Sequence, residues 1–354
     1  MSTVLAAKDF ASDQDVRWCP GCGDYAILKQ VQTVLAQSGF KPHEVVMVSG
    51  IGCSSRFPYY VNSYGIHSIH GRATAVATGL RLANPNLSIW VITGDGDSLS
   101  IGGNHTMHLL RRNVNLNVLL FNNQIYGLTK GQYSPTSEPQ KITSSTPFGS
   151  IDHPLNPLAL AMGADGSFIA RSLDRDPKHL QAVLTRANQH QGTSFVEIYQ
   201  NCNIFNDGAF EVFTESTTKK ANGLFLQQGE PLTFGNNNEW GIRLDGYKPQ
   251  VVSLTEGSTY SVNDLWVHEE TDLFKAQILV RFFDDPNQPN ISGADLNSDQ
   301  ASPGFLPRPF GVIYTHQRPA YDAQLTEQIT QTTASKGKGN LNALLVGTDS
   351  WTVV

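Results

Sequence analysis

Two apolar runs, LSIWVIT at residues 87–93 and LNVLLF at residues 116–121, constrain the fold most strongly. Runs of this kind, rich in branched and aromatic side chains, are typical of strands buried on both faces. The segment between them holds one helical pattern, NHTMHLLRRN, and strands joined by a single crossover helix run parallel. The two runs therefore predict a parallel sheet covered by helices on both faces.

Strand and helix patterns alternate over roughly residues 20–205, which predicts an α/β fold with a doubly wound parallel sheet in a first domain, residues 1–210. Asp24 is expected to cap the first helix. Residues 211–354 lack this alternation and predict a C-terminal, strand-rich extension. Its segments GLFLQQGEPLTFG, GIRLDGYKPQVVSL and STYSVNDLWVH read as short antiparallel strands, TDLFKAQILVRFF as a helix, residues 284–304 as a polar loop, and TTASKGKGN as mobile.

Charge and hydropathy exclude several classes of function. The net charge of -6 argues against a nucleic-acid surface. No apolar stretch reaches the length of about 18 residues needed to span a membrane, and the first residues lack the basic and apolar pattern of a leader. We therefore expect a cytoplasmic protein that binds neither nucleic acid nor a membrane.

The sequence contains four cysteines, Cys19, Cys22, Cys53 and Cys202. In a reducing compartment, a CPGC pair with two distant cysteines fits a metal site better than disulfides. Spacing alone fits structural zinc about as well as a [4Fe–4S] cluster. Cys53 and Cys202 both follow predicted strands, so the metal should lie at the carboxyl edge of the sheet, where a redox centre has a use and a structural zinc does not.

Polar residues follow the two apolar runs, since Asp95 comes just after the first and Asn122 and Asn123 come just after the second. Ligands bind at the carboxyl ends of strands in an open parallel sheet, so Asp95 and Asn123 should converge there. Carboxylate and amide oxygens suit Mg²⁺, which completes its shell with phosphates, while Gly94 and Gly96 allow close approach of a phosphate. The pattern predicts a magnesium–diphosphate clamp.

Two other sites fit these motifs poorly. A calcium loop of the D-x-D-x-D type fails because Leu99 occupies a ligand position. GIGCSS at residues 50–55 approaches a dinucleotide-binding pattern, but Ser55 replaces the third glycine and Pro58 interrupts any helix. No acidic residue stands about twenty residues further on, so an NAD site is disfavoured.

The motifs WCPGCGD, GIGCSSR, HGRA, GDGD, RRN and NNQIYGLTKGQYSPTS together resemble the beta subunits of the 2-oxoacid:ferredoxin oxidoreductases, which depend on thiamine diphosphate. The resemblance is continuous over residues 15–215 and is strongest to the 2-oxoglutarate branch, which LPRPFGVIY and RPAYD also resemble. It implies that all four cysteines ligate one [4Fe–4S] cluster. It implies Mg²⁺ ligation by Asp95, Asn123 and the carbonyl of Ile125. It also implies thiamine diphosphate contacts from Ile51, Gly52, Cys53, Ser54, His70, Gly96, Asp97, Gly127 and Leu128.

The resemblance also implies a reaction and partners. The family converts a 2-oxoacid, here 2-oxoglutarate, with coenzyme A and oxidised ferredoxin into an acyl-CoA (succinyl-CoA), CO₂ and reduced ferredoxin, and in some organisms runs in reverse. This chain has one α/β unit, so a larger alpha subunit is expected to supply the pyrimidine-type domain and an activating glutamate, in an alpha2beta2 heterotetramer. Residues 211–354 are expected to make subunit contacts. Two alternatives stay open: a pyruvate or broad 2-oxoacid enzyme, and a non-oxidative thiamine decarboxylase or synthase subunit.

Four residues are candidates for substrate recognition or catalysis. Arg56 follows Cys53 in the same loop and can pair with a carboxylate in two hydrogen bonds, unless it is a surface arginine. Lys130 could meet a substrate or partner carboxylate, or lie on the surface. Leu128 stands where pyruvate enzymes of the resembling family carry a polar residue, which favours 2-oxoglutarate. His70 is expected beside the cofactor, with a structural role as the alternative.

Overall fold

The structure, a computed structural model, describes residues 5–286 and 304–353. Most of the predicted polar loop at residues 284–304 lies outside the described residues. The strands are β1 Val45–Ser49, β2 Tyr64–His67, β3 Ser88–Gly94, β4 Leu116–Asn122, β5 Ile125–Tyr126, β6 Gln132–Tyr133, β7 Phe168–Leu173, β8 Thr193–Tyr199, β9 Gly223–Phe225, β10 Thr233–Phe234, β11 Trp240–Asp245, β12 Lys248–Ser253 and β13 Arg308–Thr315. The α-helices are α1 Asp24–Gln37, α2 Ala73–Ala83, α3 Gly103–Arg112, α4 Pro157–Gly163, α5 Pro177–Gln189, α6 Glu211–Thr214, α7 Lys219–Asn222, α8 Leu273–Leu279, α9 Tyr321–Lys336 and α10 Leu341–Val346.

The main sheet has eight strands in the order β2-β1-β3-β4-β8-β7-β13-β9. All neighbours from β2 to β7 are parallel, which confirms the predicted parallel sheet. The sheet is mixed, however, because β13 runs antiparallel to β7. Many elements, and not a single crossover helix, separate β13 from β7 along the chain, so that connection does not fix its direction.

The two apolar runs are buried on both faces, as predicted. Alternate side chains of β3 and β4 contribute to opposite layers of the core: Ile89 and Val118 pack on one side, and Trp90 and Leu119 on the other. Helices α2, α3 and α4 cover the first side, while α1 and α5 cover the second. The period of two along each strand places successive side chains in different layers, so both faces need apolar residues.

The region after residue 211 differs from its prediction in three respects. Two strands, β9 and β13, join the main sheet, although β9 was expected to be antiparallel and pairs parallel to β13, and β13 lies outside the segments predicted as strands. STYSVNDLWVH contains a short 3-10 turn, Val262–Asp264, and no strand. TTASK, expected to be mobile, is the last turn of α9, which ends before Gly337. The hairpin β11–β12 and helix α8 form within their predicted segments.

Four neighbouring strands bring the predicted site residues to one edge of the sheet. Strands β1, β3, β4 and β8 are adjacent and parallel, so their carboxyl ends lie side by side. The loops that follow them begin at Gly50, Asp95, Asn123 and Gln200. Among the described residues, no helix is long and apolar enough to cross a membrane.

Candidate functional site

A crevice of about 80 Å³ lies at this edge of the sheet. Every residue predicted to contact thiamine diphosphate or magnesium lines it. These residues are Ile51, Gly52, Cys53, Ser54, His70, Asp95, Gly96, Asp97, Asn123, Ile125, Gly127 and Leu128. The prediction that segments far apart in sequence converge here is therefore met by the geometry.

Asp95 is buried at the floor of the crevice, directly after β3. Its Oδ2 accepts hydrogen bonds from the hydroxyls of Ser134, at 2.5 Å, and Thr136, at 2.6 Å. Burial raises the pKa of Asp95 to about 6, although the two hydroxyls oppose the shift. A buried carboxylate without a compensating cation is unfavourable, so this position is suited to hold a positive ion.

Asn123 is held by two hydrogen bonds of its side-chain amide and one of its backbone carbonyl. Its Nδ2 donates to Oε1 of Gln200 at 2.8 Å, and its Oδ1 accepts from the backbone N–H of Ile125 at 3.2 Å. The side chain of Asn206 donates to the Asn123 carbonyl at 2.9 Å. An amide oxygen has two lone pairs, so Oδ1 can accept a second partner from the crevice.

Asp97 has a different role from Asp95. Its Oδ1 accepts hydrogen bonds from Nδ1 of His70, at 2.5 Å, and from the backbone N–H groups of Gly71 and Ile51, at 2.8 and 3.1 Å. Its Oδ2 accepts from the hydroxyl of Thr93 at 2.7 Å. Asp97 therefore fixes the crevice walls and the His70 ring. Since Nδ1 of His70 is bonded to Asp97, Nε2 is the ring nitrogen that is not engaged by this carboxylate.

Gly96 is a glycine for a packing reason. A Cβ added there would lie 2.2 Å from the ring of Tyr126, whose hydroxyl donates to the Gly96 carbonyl at 3.0 Å. The side chain of residue 96 is thus excluded by the facing loop, and the backbone of GDGD stays close to the crevice. Gly96, which was predicted to allow close approach of a phosphate, thus also allows close approach of the Tyr126 ring.

A second cavity, of about 210 Å³, adjoins the first. All four cysteines line it, together with Arg17, Trp18, Arg56, Asn123, Gly127, Leu128, Lys130, Gln200, Asn203 and Phe205. A Cβ on Gly127 would lie 3.5 Å from Sγ of Cys53 and 3.6 Å from Sγ of Cys202. The distance between those two sulphurs therefore cannot exceed the sum of these two distances. Cys53 and Gly127 line both cavities.

The four cysteines are free thiols. Burial raises the pKa of Cys22, and it raises the pKa of Cys53 to about 12, with Asp24 adding to both shifts. The indole N–H of Trp18 donates to the Cys53 carbonyl at 2.6 Å and ties the two cysteine loops together. Within the residues that the structure describes, no three His, Cys, Asp or Glu side chains are close enough to share one metal ion.

The three predicted substrate residues other than His70 lie around the cysteine cavity. Arg56 and Lys130 line that cavity and are absent from the crevice wall, whereas Leu128 lines both. Nη1 of Arg56 donates to the Arg17 carbonyl at 3.3 Å. Lys130 is exposed and adopts a left-handed backbone conformation with φ of 76°. These cations therefore lie on the side of the crevice where the cysteines are.

Sequence reasoning missed several residues of the site. Ser134 and Thr136 lie in the YSPTS part of the motif quoted above, and the hydroxyl side chains of this segment could have indicated partners for a carboxylate. Gln200 follows β8 just as Asn123 follows β4, so the strand-end rule could have found it. Asp24 was expected to cap α1, but it is the first residue of the helix, with Gly23 at the cap. It lies buried against the crevice, where burial and Asp174 raise its pKa to about 7.

Comparison with known proteins agrees with this geometry. Residues 50–198 match the family described as thiamine pyrophosphate enzyme, C-terminal TPP binding domain. The chain is 47% identical over 351 residues to the 2-oxoglutarate oxidoreductase subunit KorB of Mycobacterium tuberculosis, covering 98% of this chain and 88% of that protein. It is 45% identical over 190 residues to the 2-oxoacid:ferredoxin oxidoreductase 1, subunit beta, of Aeropyrum pernix, covering 54% of this chain and 60% of that one.

A solved structure is similar over nearly the whole length. The 2-oxoglutarate:ferredoxin oxidoreductase from Magnetococcus marinus, with 2-oxoglutarate, coenzyme A and succinyl-CoA bound, superposes with a TM-score of 0.72 at 30% identity. The match covers 98% of this chain and 96% of that chain. The alignment with the Mycobacterium tuberculosis protein covers the region after residue 211 as well as the crevice, and the chain therefore belongs to the family of the 2-oxoglutarate oxidoreductase subunit KorB.

Proposed function

We propose that this chain is the beta-type subunit of an enzyme that converts 2-oxoglutarate, coenzyme A and oxidised ferredoxin into succinyl-CoA, CO₂ and reduced ferredoxin. Its membership of the KorB family carries the proposal. The likeness to the Magnetococcus marinus enzyme, whose structure contains 2-oxoglutarate, coenzyme A and succinyl-CoA, supports the choice of substrates. The crevice supplies the place where the cofactor would bind.

The residues of the crevice fit a magnesium–diphosphate group. Asp95 offers a buried carboxylate, Asn123 an amide oxygen and Ile125 a backbone carbonyl, and all three residues line the crevice. Such hard oxygen ligands are those that Mg²⁺ prefers, and it commonly shares its shell with phosphate oxygens. Thiamine diphosphate, when bound, supplies the electron sink that decarboxylation of a 2-oxoacid requires. The chain itself would hold the diphosphate and exclude water.

The cysteine cavity fits a [4Fe–4S] cluster better than zinc. Four sulphurs bound to one Zn²⁺ at about 2.3 Å each would converge on a single point. Instead, the four cysteines surround a cavity of about 210 Å³, and no three metal-binding side chains among the described residues converge. A cluster takes one cysteine at each iron, which suits separated sulphurs. Its position beside the crevice suits transfer of single electrons to ferredoxin.

A partner subunit completes this proposal. The crevice holds about 80 Å³, well below the roughly 300–1,000 Å³ of pockets that enclose a whole ligand of drug size. A larger alpha subunit would cover the rest of the cofactor and supply the activating glutamate, in an alpha2beta2 assembly. A cytoplasmic location, where ferredoxin and reduced thiols are available, completes the proposal.

The decisive experiment is a substrate comparison with the purified complex. The chain would be produced with its partner subunit, and coenzyme A-dependent reduction of ferredoxin would be followed with 2-oxoglutarate and with pyruvate. We expect 2-oxoglutarate to be preferred and the chain alone to be inactive. Equal rates would support the broad 2-oxoacid enzyme instead. Decarboxylation without ferredoxin reduction, in protein lacking iron and sulphide, would support a non-oxidative thiamine enzyme.

The variant Asp95→Ala tests the site directly. We expect it to abolish magnesium-dependent binding of thiamine diphosphate, measured by calorimetry, because the diphosphate would lose its metal bridge. Asp152→Ala is a suitable control, since Asp152 is an exposed carboxylate that bonds the Tyr133 hydroxyl away from the crevice. Unchanged cofactor affinity in Asp95→Ala would refute the magnesium assignment.

A further inference from the structure

The two hydroxyls that contact Asp95 converge on one oxygen of its carboxylate. Ser134 and Thr136 both donate to Oδ2, at 2.5 and 2.6 Å, and all three residues are buried. A carboxylate with two donors on a single oxygen has a fixed plane, and its other oxygen is not engaged by either hydroxyl. The loop 134–136 therefore sets the direction in which Asp95 presents Oδ1.

Thr136 is the member of this pair that is connected to the sheet. Its Oγ1 lies 2.9 Å from Oδ1 of Asn122, whose Nδ2 donates to Oε1 of Glu197 at 2.7 Å. Oε2 of Glu197 in turn accepts from Nε of Arg171 at 2.7 Å. Glu197 and Arg171 are both fully buried. Buried networks of this kind rigidify their members, so the Thr136 hydroxyl lies against a rigid group of side chains from β4, β8 and β7.

The Thr136 hydroxyl can donate its proton to only one of its two neighbouring oxygens at a time. Its hydroxyl has one proton but lies within hydrogen-bond distance of two acceptors, Oδ2 of Asp95 and Oδ1 of Asn122. Oδ1 of Asn122 also accepts the backbone N–H of Gln124 at 3.2 Å. Thr136 can therefore give its proton to a charged Asp95 without leaving the Asn122 oxygen unsatisfied, and a charged acceptor forms the stronger bond.

We infer that Thr136 is a positioning residue for the divalent cation of the crevice, acting through Asp95. This inference rests on the proposed magnesium–diphosphate site and deepens it. The hydroxyl donates to Oδ2 and so fixes the plane of the carboxylate, and Oδ1 of Asp95 is thereby kept in the orientation a metal needs. Thr136 itself does not touch the cation.

The test measures the Mg²⁺ concentration that half-saturates thiamine diphosphate binding to the full chain with its partner subunit, by calorimetry. Thr136→Val keeps the side-chain shape and removes the hydroxyl. Because loss of a hydrogen bond to a charged group typically lowers affinity about tenfold or more, we expect that Mg²⁺ concentration to rise by about tenfold. Thr136→Ser restores the hydroxyl and should return the value to within about twofold of the parent protein.

A matched control separates positioning from stability. Thr193 is also fully buried on the same sheet, and its hydroxyl donates to the Val114 carbonyl at 2.7 Å, at the amino end of β8. Thr193→Val should lower the melting temperature of the metal-free protein without changing the half-saturating Mg²⁺ concentration. An unchanged Mg²⁺ requirement in Thr136→Val, or an equal rise in both valine variants, would overturn the inference. A parent protein that binds thiamine diphosphate independently of Mg²⁺ would instead overturn the proposed site.

Discussion

Nδ1 of His70 lies 2.5 Å from Oδ1 of Asp97, on the wall of the crevice. The same oxygen accepts two backbone N–H groups, from Gly71 and Ile51, so one carboxylate organises the loops after β1 and β2. Sequence reasoning assigned Asp97 to the cofactor. Its four hydrogen bonds to the protein indicate that it also holds the wall of the crevice, which it lines together with His70.

The first prediction concerns Asp97. Asp97→Ala should destabilise the metal-free chain, since each buried donor that loses its acceptor costs about 1–3 kcal/mol. Asp97→Asn keeps one oxygen for the three donors on Oδ1 and should cost clearly less. Urea unfolding of both variants checks the difference. An equal decrease in the free energy of unfolding in both variants would show that the charge of Asp97, and not its set of hydrogen bonds, stabilises the crevice.

The second prediction concerns the proposed [4Fe–4S] cluster. Cys202→Ser should lower the iron and sulphide content of the purified protein and weaken its visible absorbance, while the far-ultraviolet circular dichroism stays unchanged. The reason is that Cys202 is only half-buried and lies beyond the end of β8, outside the packed core. Lys130→Gln, in the same cavity but without sulphur, is the control. A normal iron content in Cys202→Ser would exclude this residue as a ligand.

The third prediction concerns substrate choice. 2-Oxoglutarate carries a distal carboxylate that pyruvate lacks, and Arg56 is a cation that lines the cysteine cavity, in the loop of Cys53. Arg56→Ala should lower kcat/KM for 2-oxoglutarate about ten- to a hundredfold, the usual value of a charged hydrogen bond. The effect on pyruvate should be much smaller.

Lys130→Ala gives the comparison for this prediction, because Lys130 is a second cation of the same cavity. A loss for Arg56→Ala that is equal on both substrates would assign the arginine to the cysteine loop or to the shared carboxylate. No loss on either substrate would leave it a surface residue hydrogen-bonded to the Arg17 carbonyl.

The fourth prediction concerns pH. Burial, with smaller effects of Arg318 and His316, lowers the pKa of His190 to about 4. The folded chain therefore favours neutral His190. The free energy of unfolding is at its full value above the unfolded pKa of about 6.5, and it falls as the pH is lowered towards 4, because the unfolded chain binds the proton first. This pKa shift corresponds to a loss of at most about 3 kcal/mol in the free energy of unfolding.

His190→Gln should flatten this dependence, because glutamine can bond the hydroxyl of Ser167 in place of Nε2 but does not titrate. Urea unfolding at pH 7 and at pH 4.5 measures the difference. His108→Gln changes an exposed histidine and serves as the control. If the parent protein and His190→Gln lose the same free energy of unfolding on acidification, the neutral buried histidine is not the cause.

The sequence by itself was enough to predict the parallel sheet and the contents of its edge. Apolar runs buried on both faces determine that β3 and β4 lie inside the sheet, and the rule that ligands bind at strand ends then places Asp95 and Asn123 together. The spacing of the cysteines left zinc and a cluster open, since ligand spacing does not determine the distances between sulphurs. Resemblance to a family, and not spacing, assigned the thiamine contacts.

Only the tertiary structure decided which polar side chains face the crevice and which hold its walls. Asp95 and Asp97 stand two residues apart in one motif, yet one is held on a single oxygen by Ser134 and Thr136 and the other is bonded on both oxygens. It also decided that β13 joins the sheet antiparallel. Local sequence fixes periodicity and turns, whereas hydrogen-bond partners and edge pairings depend on segments brought together from afar, which no short-range pattern records.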